Sequence, residues 1–198
     1  PIERLIVASN QNDILPRFFE QGEMQREAVN PSLSPSMDIQ VSSNFERLLF
    51  ELLGRDGEKT AKVMADFATT GSFSLPENIM QTARSMFSSY RLDDAGTLAE
   101  ISKTLGDDGM TLDPHSAVGV SAARRAIDDG TVPAGVPVVA LACAHPAKFQ
   151  EAVAKATGKI PPLPPHLADL MDRPERKHLI DANGDAVKSL VLEKKRAL

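Results

Sequence analysis

Residues 136–149 read VPVVALACAHPAKF, an apolar run from Val136 to Ala144 that closes on His145-Pro146. The run does not alternate between apolar and polar residues. That pattern marks a strand covered on both faces, as in a parallel sheet sandwiched between helices, and Val136–Ala142 is therefore expected to be a strand. Pro146 then opens a helix to about Ala156, because proline at a first helical position gives up an N–H that has no partner there anyway. A buried strand followed directly by a helix predicts an α/β architecture.

A second run of this kind, Arg4–Ser9, ends in Asn10-Gln11-Asn12-Asp13 and leads into a helix over Ile14–Gln21. Two strands do not make such a sheet. Residue 1 is proline, and the apolar run begins almost at once. The chain is thus expected to be cut inside a domain, with the missing N-terminal part of the same protein as its partner. Between the two strands lie mainly helices. Helical spacing places them over 44–53, with Asn44 as N-cap, and over 58–67, 77–87, 93–105 and 114–126. Gly22 to Met37 is a long loop of the kind that is often functional or mobile. Pro161, Pro162, Pro164 and Pro165 form an extended linker, followed by short helices near 167–171 and 186–195. The expected organisation is one domain over 1–159, with a helical insertion around 45–106, and a proline-rich linker and tail over 160–198.

Composition narrows the function. The 198 residues carry a formal charge of -5, with basic residues clustered only at the end, so nucleic acid is not an expected partner. The longest apolar run is far short of the ~20 residues that span a bilayer, so no membrane association is expected. No secretory leader is visible, which makes the cytoplasm the expected location. The single cysteine, Cys143, excludes an internal disulfide, and His115, His145, His166 and His178 show no metal-ligand spacing.

Ligands of open α/β sheets bind where strands end. Three segments are candidates: Asn10–Asp13, Cys143–Pro146 and Asp113-Pro114-His115-Ser116. The last lies at a helix N-terminus, where backbone N–H groups can hold an anion. Each could equally be ordinary helix capping. A Cys143–His145 nucleophile is disfavoured, since a free cysteine is most often a buried small hydrophobe.

In combination these segments resemble the threonine synthases of bacterial type. The resemblance rests on IVASNQND (6–13), PSMDI (35–39) with VSSNFER (41–47), DPHSAVG (113–119) and AHPAKF (144–149), in order and at natural spacing. It implies the C-terminal part of a fold-type-II pyridoxal-phosphate enzyme, helix-rich and with an incomplete, mostly parallel sheet. The implied reaction is a γ-elimination and β-addition that converts O-phospho-L-homoserine and water to L-threonine and phosphate. The Schiff-base lysine is expected upstream. Lys59, Lys62, Lys103, Lys148 and Lys155 stand in none of the family's contexts for it, so no catalytic residue is assigned in this chain.

The resemblance places Cys143, Ala144, His145, Asp113, His115 and Ser116 at the cofactor. Asn10, Asn12, Ser43, Asn44 and Arg47 fall on the substrate side, where Arg47 binds substrate phosphate or serves as an ion-pair partner. The family commonly has Thr where this chain has Cys143. A thiol is a weaker donor than a hydroxyl, and Cys143 is expected to face the pyridine nitrogen without acting as a nucleophile. Two other readings stay open: a homologue that eliminates phosphate without making threonine, and a non-catalytic binding or scaffolding module.

Overall fold

The computed structural model describes residues 2–142 and 144–195. These form two compact units, Pro1–Pro162 and Leu163–Leu198. The first is built around strand β1 (Leu5–Ser9), helix α1 (Ile14–Gln21) and the short strand β2 (Glu23–Gln25). Helices α2 (Phe45–Leu52) and α3 (Gly57–Thr70) follow, then β3 (Ser72–Ser74), α4 (Glu77–Met86) and β4 (Phe87–Arg91). Helices α5 (Asp94–Asp108), α6 (Pro114–Asp128) and α7 (Gln150–Thr157) complete it.

β1 and β4 pair in parallel, with Val7 opposite Ser89 and Ser9 opposite Arg91, while β2 and β3 form a separate antiparallel pair. The sequence pattern runs α4 on through Phe87, but the helix stops at Met86 and Phe87 turns extended, at φ -119 and ψ 142. Serines 88 and 89 are indifferent helix formers, and pairing with β1 decides their conformation.

A second departure concerns 136–142. This segment joins neither of the two sheets, and Val139 and Leu141 are 84% and 76% exposed. A central strand is stable only between neighbours, and the described residues supply none on that side.

The main core gathers Ile14, Phe18 and Phe19 of α1 with Phe45 and Leu49 of α2, Phe67 of α3 and Met80 of α4. Phe18 sits edge-on to Phe45 at 4.9 Å and to Phe19 at 5.4 Å. Burying such a ring stabilises by roughly 1.5–3 kcal/mol, and each aromatic pair adds about 0.5–1.5 kcal/mol. A smaller cluster of Ile101, Leu112 and Ala117 joins α5 to α6.

Caps fix the helix starts. The carboxylates of Asp56, Asp93 and Asp113 accept from amides at the openings of α3, α5 and α6. Asn44 precedes α2 without making a side-chain cap; its amide oxygen accepts from Ser42 Oγ at 2.5 Å instead. In the second unit, α8 (Gly184–Lys194) is capped by Asn183, whose Oδ1 accepts from the Ala186 amide.

Candidate functional site

Strand β1 delivers Asn10 and Asn12 to its C-terminal end, where both are buried. Their amides reach across to the loop that follows β2. Asn10 Nδ2 donates to Asp38 Oδ1 at 2.8 Å and to Ser32 Oγ at 2.7 Å. Asn12 Nδ2 donates to Asp38 Oδ1 at 2.9 Å and to the Asn30 carbonyl, and Asn12 Oδ1 accepts from the Asn30 amide. The two asparagines therefore brace a loop, and their polar groups are committed inside the protein.

Asp113, 1% exposed, opens α6. Its Oδ1 accepts from the His115 amide and from His115 Nδ1, both at 2.9 Å, and its Oδ2 accepts from Ser116 Oγ. The other ring nitrogen, His115 Nε2, accepts from the Ser36 amide at 3.3 Å. Because a backbone N–H can only donate, Nε2 must carry the lone pair and Nδ1 the proton. The imidazole is thus neutral, with its basic lone pair occupied, and this arrangement leaves it no role as a general base. Its ring packs against Phe149 with centroids 4.7 Å apart.

Three of the segments singled out by sequence therefore meet at one imidazole: 35–39 through Ser36, 113–119 through Asp113, and 144–149 through Phe149. The segment 6–13 joins them through Asn10, Asn12 and Asp38. Ser43, Asn44 and Arg47 do not join. All three are exposed at the start of α2, and among the described residues the Arg47 guanidinium has no hydrogen bond or ion pair. Cys143 lies outside the described residues. Ala144 is half-buried, and exposed His145 accepts from the Ala147 amide at 3.2 Å through Nδ1.

Two residues central to this arrangement were not among the expected site residues. Asp38 stands inside the quoted PSMDI motif, but nothing in a linear sequence pairs it with Asn10 and Asn12, which precede it by 28 and 26 positions. Asp13 is held by two guanidiniums, Arg17 Nε at 3.0 Å and Arg91 Nη1 at 2.7 Å, so that it ties α1 to the end of β4. That hydrogen bond and ion pair raise the pKa of Arg91.

The fit of a pyridoxal ring can be judged from these partners. Among the described residues, no buried side-chain nitrogen or oxygen lacks a partner, so no buried donor waits for a ligand. What remains open is the turn after 136–142, where Ala144 and exposed His145 follow Cys143. The exposure of His145 beside half-buried Ala144 leaves space there for the pyridine edge of the ring. The aldehyde and phosphate ends need a lysine and a phosphate cradle, and the segments named here supply neither. No group of three or more His, Cys, Asp or Glu among the described residues could hold a metal.

Residues 116–191 match the family described as threonine synthase, C-terminal. The threonine synthase of Pseudomonas aeruginosa is 47% identical over 177 residues, covering 89% of this chain and 37% of that protein. The crystal structure of PLP-bound threonine synthase from Brucella melitensis superposes with a TM-score of 0.88 at 44% identity, over 100% of this chain and 41% of that one. Yeast threonine synthase gives a TM-score of 0.84 at 34% identity, over 98% of this chain and 42% of that one.

The fold is that of part of a fold-type-II pyridoxal-phosphate enzyme. Within that class the chain is similar to the C-terminal part of threonine synthases. It spans about two fifths of the length of the relatives it matches.

Proposed function

We propose that this chain supplies one wall of the active site of a threonine synthase, a pyridoxal-phosphate-dependent lyase of the cytoplasm. The whole protein would convert O-phospho-L-homoserine and water to L-threonine and phosphate. The observation that carries the proposal is the convergence of 35–39, 113–119 and 144–149 on the His115 imidazole, with 6–13 tied to them through Asp38. When bound, the cofactor supplies an electron sink for carbanion chemistry at the amino-acid substrate.

This chain's own part is to hold and orient. Cys143 would offer its thiol as a weak donor to the pyridine nitrogen, with Ala144 and His145 completing that turn. Asp113, His115 and Ser116 would stand behind it as a hydrogen-bonded support, His115 keeping its proton on Nδ1. Arg47, whose guanidinium has no hydrogen bond or ion pair among the described residues, is the candidate for substrate phosphate, since a guanidinium forms two parallel bonds with phosphate oxygens. The Schiff-base lysine and the cofactor-phosphate loop would come from the N-terminal part of the protein. Segment 136–142 would find its neighbouring strands there too.

The test is product analysis on the full-length protein loaded with pyridoxal phosphate and given O-phospho-L-homoserine. Threonine and phosphate in equal amounts are expected. Phosphate without threonine would point instead to a phospho-lyase on the same scaffold. Neither product would remove both readings.

A further inference from the structure

The loop between β2 and α2 is held more completely than its composition suggests. From Asn30 to Asp38 every backbone N–H is hydrogen-bonded, and the two positions without one are Pro31 and Pro35. Five of these amides are met by side chains. Asn30 donates to Asn12 Oδ1, Ser32 to Asp38 Oδ2 and Leu33 to Asp94 Oδ1, while Ser34 donates to Ser32 Oγ and Ser36 to His115 Nε2. Met37 and Asp38 donate to the carbonyls of Ser34 and Pro35. The acceptors belong to the end of β1, the starts of α5 and α6, and the loop itself.

At the centre is the Asp38 carboxylate. Its Oδ1 accepts from Asn10 Nδ2, Asn12 Nδ2 and Ser32 Oγ at 2.8, 2.9 and 2.6 Å. Its Oδ2 accepts from the Ser32 amide at 2.9 Å. An ionised carboxylate is acceptor-only and can take all four donors at once; a side-chain amide cannot, because one of its two positions would present N–H to N–H. Ser32 Oγ, with its one proton given to Asp38, accepts from Asn10 Nδ2 and the Ser34 amide. The chemistry of each group thus fixes the direction of every bond in the cluster.

We infer that Asp38 is a positioning residue of the site. It locks the 30–38 loop as a preformed wall, and through Ser36 it sets the orientation of the His115 imidazole. The loop is then a fixed surface that ligand meets, rather than a lid that closes over it. The effect on turnover rests on the threonine synthase reading; the effect on the loop does not.

The experiment is hydrogen exchange on the full-length enzyme, wild type and Asp38→Asn, alongside steady-state kinetics. In the wild type without substrate, the amides of Ser32, Leu33 and Ser36 should be as protected as those inside α1. Exchange at unstructured-chain rates would overturn the inference without recourse to any variant. In Asp38→Asn, exchange at Leu33 and Ser36, which do not touch Asp38, should rise about tenfold or more while α1 is unchanged. A rise confined to Ser32 would show a local contact only and would equally overturn the inference.

On the kinetic side, kcat should fall about tenfold or more with KM held within about threefold. A freed loop with unaltered kcat would remove Asp38 from the positioning role. If the wild type makes no threonine, the functional proposal fails, and the exchange results still decide whether Asp38 locks the loop.

Discussion

Tyr90, the only tyrosine, stands near the end of β4, and its hydroxyl donates toward Asp129 Oδ2 at 2.8 Å with Thr131 Oγ1 at 3.0 Å. Arg125 covers its ring at 5.0 Å from the centroid. Burial raises the phenol's pKa above its ordinary value, with Asp129 acting in the same direction and the Thr131 bond opposing. A raised folded-state pKa means that the folded protein holds the proton more tightly than the unfolded chain does. The resulting stabilisation is complete below the unfolded value of about 10 and declines as pH rises through it toward the folded value. Tyr90→Phe should therefore lower stability by on the order of 1 kcal/mol at neutral pH. The gap from wild type should narrow above pH about 10, as followed by thermal melts of the whole protein; a gap that widened there would contradict this assignment. Single residues also mark where sequence reading stops. Asp113 could be read as a cap from its place before Pro114-His115. Asp38 could not be read as the centre of a cluster, because its partners are brought to it by the packing of β1 against the rest of the unit.

At the level of elements, α1 shows how a turn can set the geometry around it. The helix ends at Gly22, whose φ of +77 is left-handed. The Gly22 amide closes onto the Phe18 carbonyl, and its own carbonyl accepts from Leu75 beside β3. A Cβ there would lie 3.2 Å from Met80 Cγ in the main core. Gly22→Ala should cost about 1–2 kcal/mol through backbone strain, with some repacking of Met80 added. Chemical unfolding measures it, and a neutral effect would show that the backbone relaxes away from the left-handed region.

The helices were legible in the sequence because their apolar spacing and aspartate caps agree with their packing. β4 was not: FSSYR has no β-branched residue, and only its pairing with β1 makes it a strand. The opposite error fell on 136–142, whose composition reads as a strand and whose neighbours are not among the described residues. Strand identity here belongs to the sheet more than to the segment.

For the whole molecule, the exposed apolar surface is the governing feature. The Val139 and Leu141 side chains stand largely exposed, and an apolar surface of that kind promotes association. Sedimentation of the isolated chain should show species well above its 21.4 kDa. Co-expression with the N-terminal part of the protein should suppress them. A monodisperse monomer would show that this surface is covered by other means.

The 30–38 loop also constrains the length of the chain. Each of its amides has an acceptor assigned on a particular strand end, helix start or neighbouring side chain, and Pro31 and Pro35 occupy the two positions where no donor is needed. One residue more or fewer would bring a proline opposite an acceptor and leave a donor facing nothing. The residue count of this stretch is therefore fixed, as are the side chains of Ser32 and Asp38 that serve as acceptors within it. The turn at Gly54–Asp56, where Gly54 and Arg55 are both left-handed and a Cβ on Gly54 would meet open space, has room for an insertion.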